Sequence, residues 1–273
     1  MTELKLSGRM ISTKLDALVM GIVNVTPDSF HEKSRGGIEL AKRLIEEGAD
    51  IIDLGAESTR PGSDYISKEE EIRRLIPVIK EIRKISDIPL SIDTRKYEVM
   101  KAAFEEGADI LNDISAMEDD PRLFDFCAQT KIPVILMHKR GIPSSMQKNT
   151  DYSNCFEEVD KYLSERARLA EEKGIESEKI ILDPGIGFGK SVEDNFLLMK
   201  NCGKLCQGRY KVLMALSRKS CLGAVTGRET ADRLCGSVSA DLLSVLAGAS
   251  LIRVHDVKEA VDSLKVLKAF NGA

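Results

Sequence analysis

Several features are missing from this 273-residue chain, and each absence excludes a class of protein. The formal net charge is −4, from 40 Lys and Arg against 44 Asp and Glu, so the chain lacks the basic field that attracts nucleic acid. No apolar run approaches the roughly 20 residues that cross a bilayer. The N-terminal residues carry mixed charge without an apolar segment, so we expect no secretory signal. These absences predict a cytoplasmic protein that binds neither nucleic acid nor a membrane.

The six cysteines lack the spacing of a structural zinc site. Cys202 and Cys206 are four residues apart, but the nearest histidine in sequence is His255, and no second cysteine pair has zinc spacing. We therefore expect reduced, mostly buried thiols and no zinc centre.

What the chain does contain is a series of eight short apolar runs, nearly all of which end in a residue capable of chemistry. Polar groups at the C-terminal ends of successive parallel strands are typical of a (β/α)8 barrel, because its eight βα loops converge on one face. The chain length also fits one such barrel of about 250 residues. The residues that end the runs are, in order, Asn24, Glu57, Asp93, Asn112, His138, Asp183, Lys219 (after Ser217 and Arg218) and Arg253 with His255.

Helical segments alternate with these runs. Five segments place apolar residues three to four positions apart, as amphipathic helices do: 38–49, 68–85, 97–108, 156–174 and 231–249. EEGADI occurs at residues 46–51 and again at 105–110, and each glycine would end a helix just before a strand. No linker rich in Gly, Pro or Ser interrupts the pattern. The sequence therefore predicts an α/β fold, a (β/α)8 TIM barrel, as a single domain over residues 1–273, with residues 4–12 forming a short strand or hairpin across its N-terminal floor.

Asp93, Asn112 and Asp183 follow strands three, four and six and would form an acceptor-rich wall at the barrel mouth. Buried carboxylates are costly unless they are paired or hydrogen-bonded. Either aspartate could instead cap the helix that follows it. Three acceptors on one rim suit a heterocycle with several N–H donors, such as a pterin or a purine.

Residues opposite in charge to this wall follow strands seven and eight. Barrels frequently bind phosphate at the loops after these two strands. The cationic residues there are Arg218, Lys219, Arg253 and His255; an ion pair within residues 253–256 is the alternative. Asn24 offers a neutral oxygen that suits a Mg²⁺ held mostly by water and substrate phosphates, although an Asn before Val-Thr-Pro-Asp is commonly a turn residue.

The segment DPGIGFGKS (183–191) is close to a phosphate-binding P-loop, but Pro184 stands where that motif needs its first glycine. Its alternate glycines would instead let the backbone approach a flat ligand. Phe188 would stack on that ligand, or would be a core residue. His31 and His138 have no partner visible in the sequence and are interpreted as loop or rim residues.

Six motifs of this chain resemble those of the dihydropteroate synthases, in that family's order. They are NVTPDSF (24–30), ESTRPG (57–62), SIDTR (91–95), DPGIGFGK (183–190), SRK (217–219) and RVHDV (253–257). The resemblance extends over about residues 18–270. Pterin-dependent methyltransferases share the pterin wall, but the SRK and RVHDV motifs resemble the synthase branch.

The resemblance implies an alkyl/aryl transferase that condenses 6-hydroxymethyl-7,8-dihydropterin diphosphate with p-aminobenzoate in folate biosynthesis. It implies that the pterin is held by Asp93, Asn112, Asp183 and Lys219. Asn24 would contact Mg²⁺ on the diphosphate, and Arg253 and His255 would grip the diphosphate. The aminobenzoate site would be shaped by Thr59, Arg60, Pro61 and Ser220. Sulfonamides are implied as inhibitors, and a homodimer through the late helices as the assembly.

The first loop departs from the family pattern. Family members commonly continue DSF with Ser-Asp-Gly-Gly, whereas His31-Glu32-Lys33 follow Phe30 here and the stretch is several residues shorter. We expect residues 26–37 to be a mobile cover that binds p-aminobenzoate and sulfonamides more weakly than in typical relatives. The alternatives are a methyltetrahydrofolate-type methyltransferase, which would need a corrinoid protein partner, and a non-catalytic pterin binder.

Overall fold

The computed structural model of the chain describes residues 1–25, 34–57, 65–141 and 150–273. The sequence assigned Thr59, Arg60 and Pro61 to the aminobenzoate site, and these three residues lie outside the described ranges. So do residues 26–33, which form most of the expected first-loop cover.

An antiparallel hairpin precedes the barrel and closes its N-terminal end. Its strands are β1 (Thr2–Lys5) and β2 (Met10–Thr13). Leu4 and Leu6 are buried in the cluster of residues that fills the floor of the barrel. The hairpin expected over residues 4–12 is therefore confirmed.

Eight parallel strands close into a barrel, in the order in which they occur along the chain. The predicted (β/α)8 architecture is confirmed, because the last strand pairs with both its predecessor and the first. The strands are β3 (Leu18–Asn24), β4 (Ile51–Gly55), β5 (Leu90–Asp93), β6 (Ile110–Asp113), β7 (Val134–Met137), β8 (Ile180–Asp183), β9 (Lys211–Met214) and β10 (Leu251–Val254).

Helices follow the strands and cover the outside of the barrel. The helices of the described residues are α1 (Ser34–Glu46), α2 (Lys68–Arg83), α3 (Tyr97–Glu105), α4 (Arg122–Thr130), α5 (Cys155–Glu172), α6 (Val192–Asn201), α7 (Ser220–Thr226), α8 (Leu234–Leu246) and α9 (Val257–Asn271). The two repeated helix ends behave as the sequence predicted, with positive φ at Gly48 (99°) and Gly107 (99°), and Gly248 after α8 has the same conformation (107°). None of the helices in the described ranges is long and apolar enough to span a bilayer.

The first helix starts earlier than the sequence predicted. The sequence assigned residues 34–37 to the first loop, but they lie in α1 although Gly36 and Gly37 are poor helix formers. A Cβ at Gly37 would lie 4.0 Å from Cγ1 of Val23, so this first turn packs directly against β3. Tertiary packing therefore outweighs the low helix propensity of the two glycines.

Side chains alternate between the two faces of every barrel strand, because successive residues of a strand point to opposite sides. The outer set packs against the helices and includes Val19, Ile52, Ile92, Leu111, Leu136, Leu182, Val212 and Ile252. The inner set forms the floor with the hairpin and comprises Leu18, Met20, Ile51, Ile110, Ile135, Ile181, Leu213, Ala215 and Leu251. The functional side chains continue this inner face toward the mouth.

The six cysteines are free thiols. Four of them are buried, Cys206 is partly buried and Cys235 is exposed. The expectation of mostly buried thiols is confirmed.

Candidate active site

Four alternate strands place one polar side chain each in a single layer of the barrel mouth. Each of these residues follows an inward-facing Ile or Leu of the floor by two positions, so both point to the same face. The four are Asp53 on β4, Asn112 on β6, Asp183 on β8 and Arg253 on β10. Layers of four side chains from alternate strands are the normal filling of such barrels. The fold itself therefore brings these polar groups together.

Arg253 lies between two carboxylates at the centre of the mouth. Its Nε donates to Oδ2 of Asp53 at 2.6 Å, and its Nη2 donates to Oδ2 of Asp93 at 3.0 Å. Asn112 Nδ2 lies 3.3 Å from both carboxylate oxygens of Asp53. Arg253 thus pairs directly with the acidic wall, because the closed barrel brings the inner faces of β4, β5 and β10 together.

The charges of this cluster are strongly coupled. Burial raises the pKa of Asp93 above its ordinary value, to about 7, and the attraction of Arg253 opposes that rise. Burial alone would lower the pKa of Arg253, but Asp53 and Asp93 more than compensate, so the guanidinium remains charged. A carboxyl group that holds a proton near neutral pH inside a concave mouth is typical of a functional site.

Asp183 completes the wall from β8. It is 4% exposed, and its Oδ1 accepts a hydrogen bond from the backbone N–H of Gly185 at 2.7 Å. Burial raises its pKa, against the pull of Lys219 and Arg253. Neither Asp93 nor Asp183 caps the helix that follows it. The N-cap residue of α3 is Lys96, and that of α6 is Ser191. The site interpretation is therefore favoured over the helix-cap alternative.

Lys219 brings a second cation into the mouth from the loop after β9. Its Nζ lies 4.5 Å from the centre of the Phe188 ring, which is the geometry of a cation–π contact. Burial lowers the pKa of Lys219 to about 8, and the charge of Asp183 opposes that shift. Of the two alternatives for Phe188, the structure favours a place in the site over a place in the core.

Two side-chain pairs tie the loop after β9 to the loop after β10. Ser217 Oγ accepts from the backbone N–H of His255 at 3.2 Å and lies 3.0 Å from its Nδ1. Arg218 donates to both carboxylate oxygens of Asp256, at 3.1 and 2.6 Å. The ion pair that was considered within residues 253–256 therefore involves Asp256, but its partner is Arg218. His255 follows Arg253 by two positions, just beyond the end of β10.

Asn24 and Ser220 both lie at the mouth end of the barrel. Asn24 is the last residue of β3 and is exposed, and Ser220 is the exposed first residue of α7. In the described ranges, no group of three or more His, Cys, Asp or Glu side chains is arranged to bind a metal. A Mg²⁺ that keeps its water and phosphate ligands needs only one or two protein oxygens. The single amide oxygen of Asn24 fits that kind of site.

Glu57 of the ESTRPG motif braces the start of the second loop. Its carboxylate accepts from Arg95 Nε at 3.1 Å, from Lys96 Nζ at 2.7 Å and from the backbone N–H of Ile66 at 2.8 Å. Its role in the described structure is to join the loops after β4 and β5.

The sequence analysis missed Asp53. We treated IIDLG as an apolar run and looked for chemistry only beyond its end, but Asp53 is fully buried and is bonded by both Arg253 and Asn112. A charged residue inside an otherwise apolar strand was the available signal.

His138, interpreted from the sequence as a loop or rim residue, has a partner that the sequence did not reveal. His138 is 7% exposed, and its Nδ1 lies 3.0 Å from Nζ of Lys190. The two residues are 52 positions apart in sequence, so no local pattern connects them.

Comparison with known proteins agrees with this geometry. A family model described as pterin binding enzyme matches residues 20–255. The dihydropteroate synthase of Escherichia coli (strain K12) is 40% identical over 256 residues, which cover 92% of this chain and 90% of that protein.

Solved structures agree as well. A dihydropteroate synthase of Xanthomonas albilineans with 4-aminobenzoic acid has a TM-score of 0.92 and 42% identity, covering 100% of this chain and 99% of that one. A Yersinia pestis dihydropteroate synthase in a sulfonamide drug complex has a TM-score of 0.92 and 34% identity, covering 99% and 100%. Since family, sequence and fold agree over nearly the whole chain, the chain belongs to the pterin-binding enzymes, among the dihydropteroate synthases.

Proposed function

We infer that this chain condenses 6-hydroxymethyl-7,8-dihydropterin diphosphate with p-aminobenzoate, and so forms 7,8-dihydropteroate and diphosphate. The observation that carries this inference is the layer of buried acids and amide at the barrel mouth, held together by Arg253 and flanked by Lys219. It offers hydrogen-bond acceptors for a heterocycle and positive charge for a diphosphate within one site.

The pterin would lie against Asp93, Asn112 and Asp183. Arg253 donates to Oδ2 of Asp93, which leaves Oδ1 to accept from an N–H of the ring. Phe188 and Lys219 would contact the ring and its polar edge, since they already contact each other. Two carboxylates near the ring favour positive charge on it, which stabilises a dissociative transition state as diphosphate leaves.

The diphosphate would be bound by Arg253 and His255, with Asn24 contacting a Mg²⁺ on its oxygens. When bound, the metal supplies positive charge that stabilises the departing diphosphate. Arg253 stays protonated because of its acidic neighbours, so its contribution does not depend on pH near neutrality.

The amine of p-aminobenzoate is already nucleophilic, so the site needs no strong base. We propose Thr59, Arg60, Pro61 and Ser220 as the residues that shape its binding site. Sulfonamides would compete there, as analogues of the same aromatic amine. This assignment extends to the present chain what the two solved structures bind.

Steady-state release of diphosphate, measured with and without p-aminobenzoate, tests the function. We expect release to depend on p-aminobenzoate and to yield one dihydropteroate per diphosphate. Pterin binding without turnover would identify a non-catalytic binder. Methyl transfer to a corrinoid protein without diphosphate chemistry would identify a methyltransferase.

The remaining expectations concern the state of the protein. We propose one barrel domain over residues 1–273, in the cytoplasm, that forms a homodimer through residues 231–248. Leu243 and Leu246 on α8 support the dimer, because they are 53% and 59% exposed. Light scattering of wild type and of a Leu243→Glu variant decides it, since a monomer in both would contradict the dimer.

A further inference from the structure

Lys190 is a buried cation that the proposed function does not use. It follows the loop after β8, is 3% exposed, and forms no ion pair with the carboxylates of the described residues. A buried ammonium is costly unless its hydrogen bonds are satisfied. The position of Lys190 therefore serves either the stability of the fold or the site.

The Lys190 ammonium is surrounded by acceptors from two neighbouring strand ends. Its Nζ lies 2.9 Å from the carbonyl oxygen of Gly185, 3.1 Å from that of Phe188 and 3.4 Å from that of His138. His138 Nδ1 is a fourth neighbour at 3.0 Å. Burial lowers the pKa of His138 to about 3, so its ring is neutral and Nδ1 can accept from the ammonium.

The loop held by Lys190 has little freedom to shift. Gly185 has φ of +69°, and a Cβ at this position would lie 1.8 Å from the carbonyl oxygen of His138. The loop backbone therefore sits directly on the end of β7, and Lys190 fastens the two together.

The same loop carries three contacts of the pterin site. The backbone N–H of Gly185 binds Oδ1 of Asp183, and the Phe188 ring faces Nζ of Lys219. A Cβ at Gly187 would lie 3.4 Å from Cδ of Lys219, so the loop also limits where this lysine can lie. A displacement of this loop would move the acid, the ring and the second cation together.

We propose that Lys190 is a positioning residue of the pterin site, fastening the loop of residues 184–189 to the end of β7 and thereby fixing Asp183, Phe188 and Lys219. The role rests on the proposed function, because it assigns Lys190 to the binding of that pterin. Lys190 touches none of the reacting atoms and acts through the loop and through its charge. The charge of Lys190 also lowers the pKa of Asp183, as the charges of Lys219 and Arg253 do.

Lys190→Met tests the role, since methionine keeps the apolar stem but has neither charge nor N–H donors. We expect the Kd for 6-hydroxymethyl-7,8-dihydropterin diphosphate, measured by calorimetry without p-aminobenzoate, to rise on the order of 10- to 100-fold. The acidic limb of kcat/KM should move to higher pH, because the lost charge no longer favours ionised Asp183. The other titratable groups facing Lys190 (His138, Cys155, Asp194 and Lys219) are unchanged in the variant.

Lys190→Gln separates hydrogen bonding from charge. Glutamine restores N–H donors to the carbonyls of the loop, so the Kd should recover in part. The acidic limb should stay displaced, because glutamine carries no charge.

Lys179 provides a matched control at the other end of β8. It is 2% exposed, and its Nζ donates to the carbonyl oxygen of Lys131 at 2.8 Å. Lys179→Met removes a buried ammonium that is bound to backbone and, at 3.2 Å, to the partly exposed Glu176, but at the floor. We expect a lower melting temperature, with wild-type Kd and pH profile.

An unchanged Kd and acidic limb in Lys190→Met would overturn the proposal. Failure of both Lys190 variants to fold, while Lys179→Met folds, would also overturn it, because Lys190 would then serve stability alone. Measuring the turnover of the wild-type protein distinguishes a failure of this proposal from a failure of the proposed function. A Lys190 effect on pterin Kd without wild-type synthase activity would uphold the positioning role and reject the synthase.

Discussion

The floor and the mouth of the barrel are built from the same strands, yet their inner faces carry opposite chemistry. At the floor, the inward residues of β4, β6, β8 and β10 are aliphatic and fully buried against Leu4 and Leu6 of the hairpin. Two positions further along, the same four strands carry an acid, an amide, an acid and a guanidinium. About 6.6 Å of strand therefore separates the two layers.

This difference separates stability from function along the barrel axis. Aliphatic burial at the floor stabilises the fold by roughly 1.5–3 kcal/mol for each side chain. Charges buried at the mouth stabilise it little or oppose it, since desolvation offsets their mutual attraction. Substitutions at the mouth should therefore alter activity more than stability, and substitutions at the floor should do the reverse.

Asp93→Asn should give the largest effect. The variant keeps the shape of the side chain but removes the ionisable carboxyl group that faces the pterin, so turnover should fall on the order of 10²–10³-fold. Steady-state diphosphate release measures the loss, and circular dichroism checks that the fold is intact. Asp125→Asn, at an exposed acid, is the control. Near wild-type turnover in Asp93→Asn would remove Asp93 from the pterin wall.

Leu4→Ala, at the floor, should lower stability without changing activity. It removes a fully buried side chain and leaves a cavity, so the free energy of unfolding should drop by about 2–5 kcal/mol. The kcat and KM of the folded enzyme should not change. Met10→Ala, on the same hairpin but 56% exposed, should cost less than about 0.5 kcal/mol. A change in KM from Leu4→Ala alone would show that the two layers are coupled.

Arg253→Gln should weaken the binding of diphosphate. Loss of a charged hydrogen bond of about 1.5–3 kcal/mol predicts a roughly 10- to 100-fold rise in its Kd. Calorimetry with and without Mg²⁺ measures the change, and Arg209→Gln at an exposed arginine is the control. Equal affinities in Arg253→Gln and wild type would mean that Arg253 only braces Asp53 and Asp93.

The smallest expected effect is a change in how the free energy of unfolding depends on pH. The pKa of Asp93 rises from its ordinary 3.8 to about 7 on folding, so the folded state binds more protons than the unfolded state between these values. This group therefore lowers stability as pH rises through that window. Urea unfolding at a series of pH values should show a shallower decline in Asp93→Asn. Identical slopes in the two proteins would place the pKa of Asp93 near its ordinary value.

The strands and most of the site could be predicted because both depend on the pattern of neighbouring residues in the sequence. A buried parallel strand is an apolar run, and its C-terminal end lies at the mouth, so Asp93, Asn112, Asp183 and Lys219 could be located from position alone. Asp53 could not be found in this way, because it lies within its run. Only the phase of the alternation along β4 places it on the inner face.

Pairing between distant residues could not be predicted. The sequence assigned Arg253 to an anion site but did not reveal its pairing with acids that are 200 and 160 positions away in sequence. Likewise, the pair of His138 and Lys190 joins two strand ends that no local pattern relates.

The sequence by itself determined the barrel, its family and the strand ends that carry the chemistry, because periodicity and motif order are properties of neighbouring residues. The tertiary structure decided which charges neutralise each other and which lysine fastens the loop under the site. Those outcomes depend on closing the barrel, since only closure brings β10 beside β3 and turns its arginine toward the acids of β4 and β5. Burial then raises or lowers the pKa of each group according to the partners it has gained.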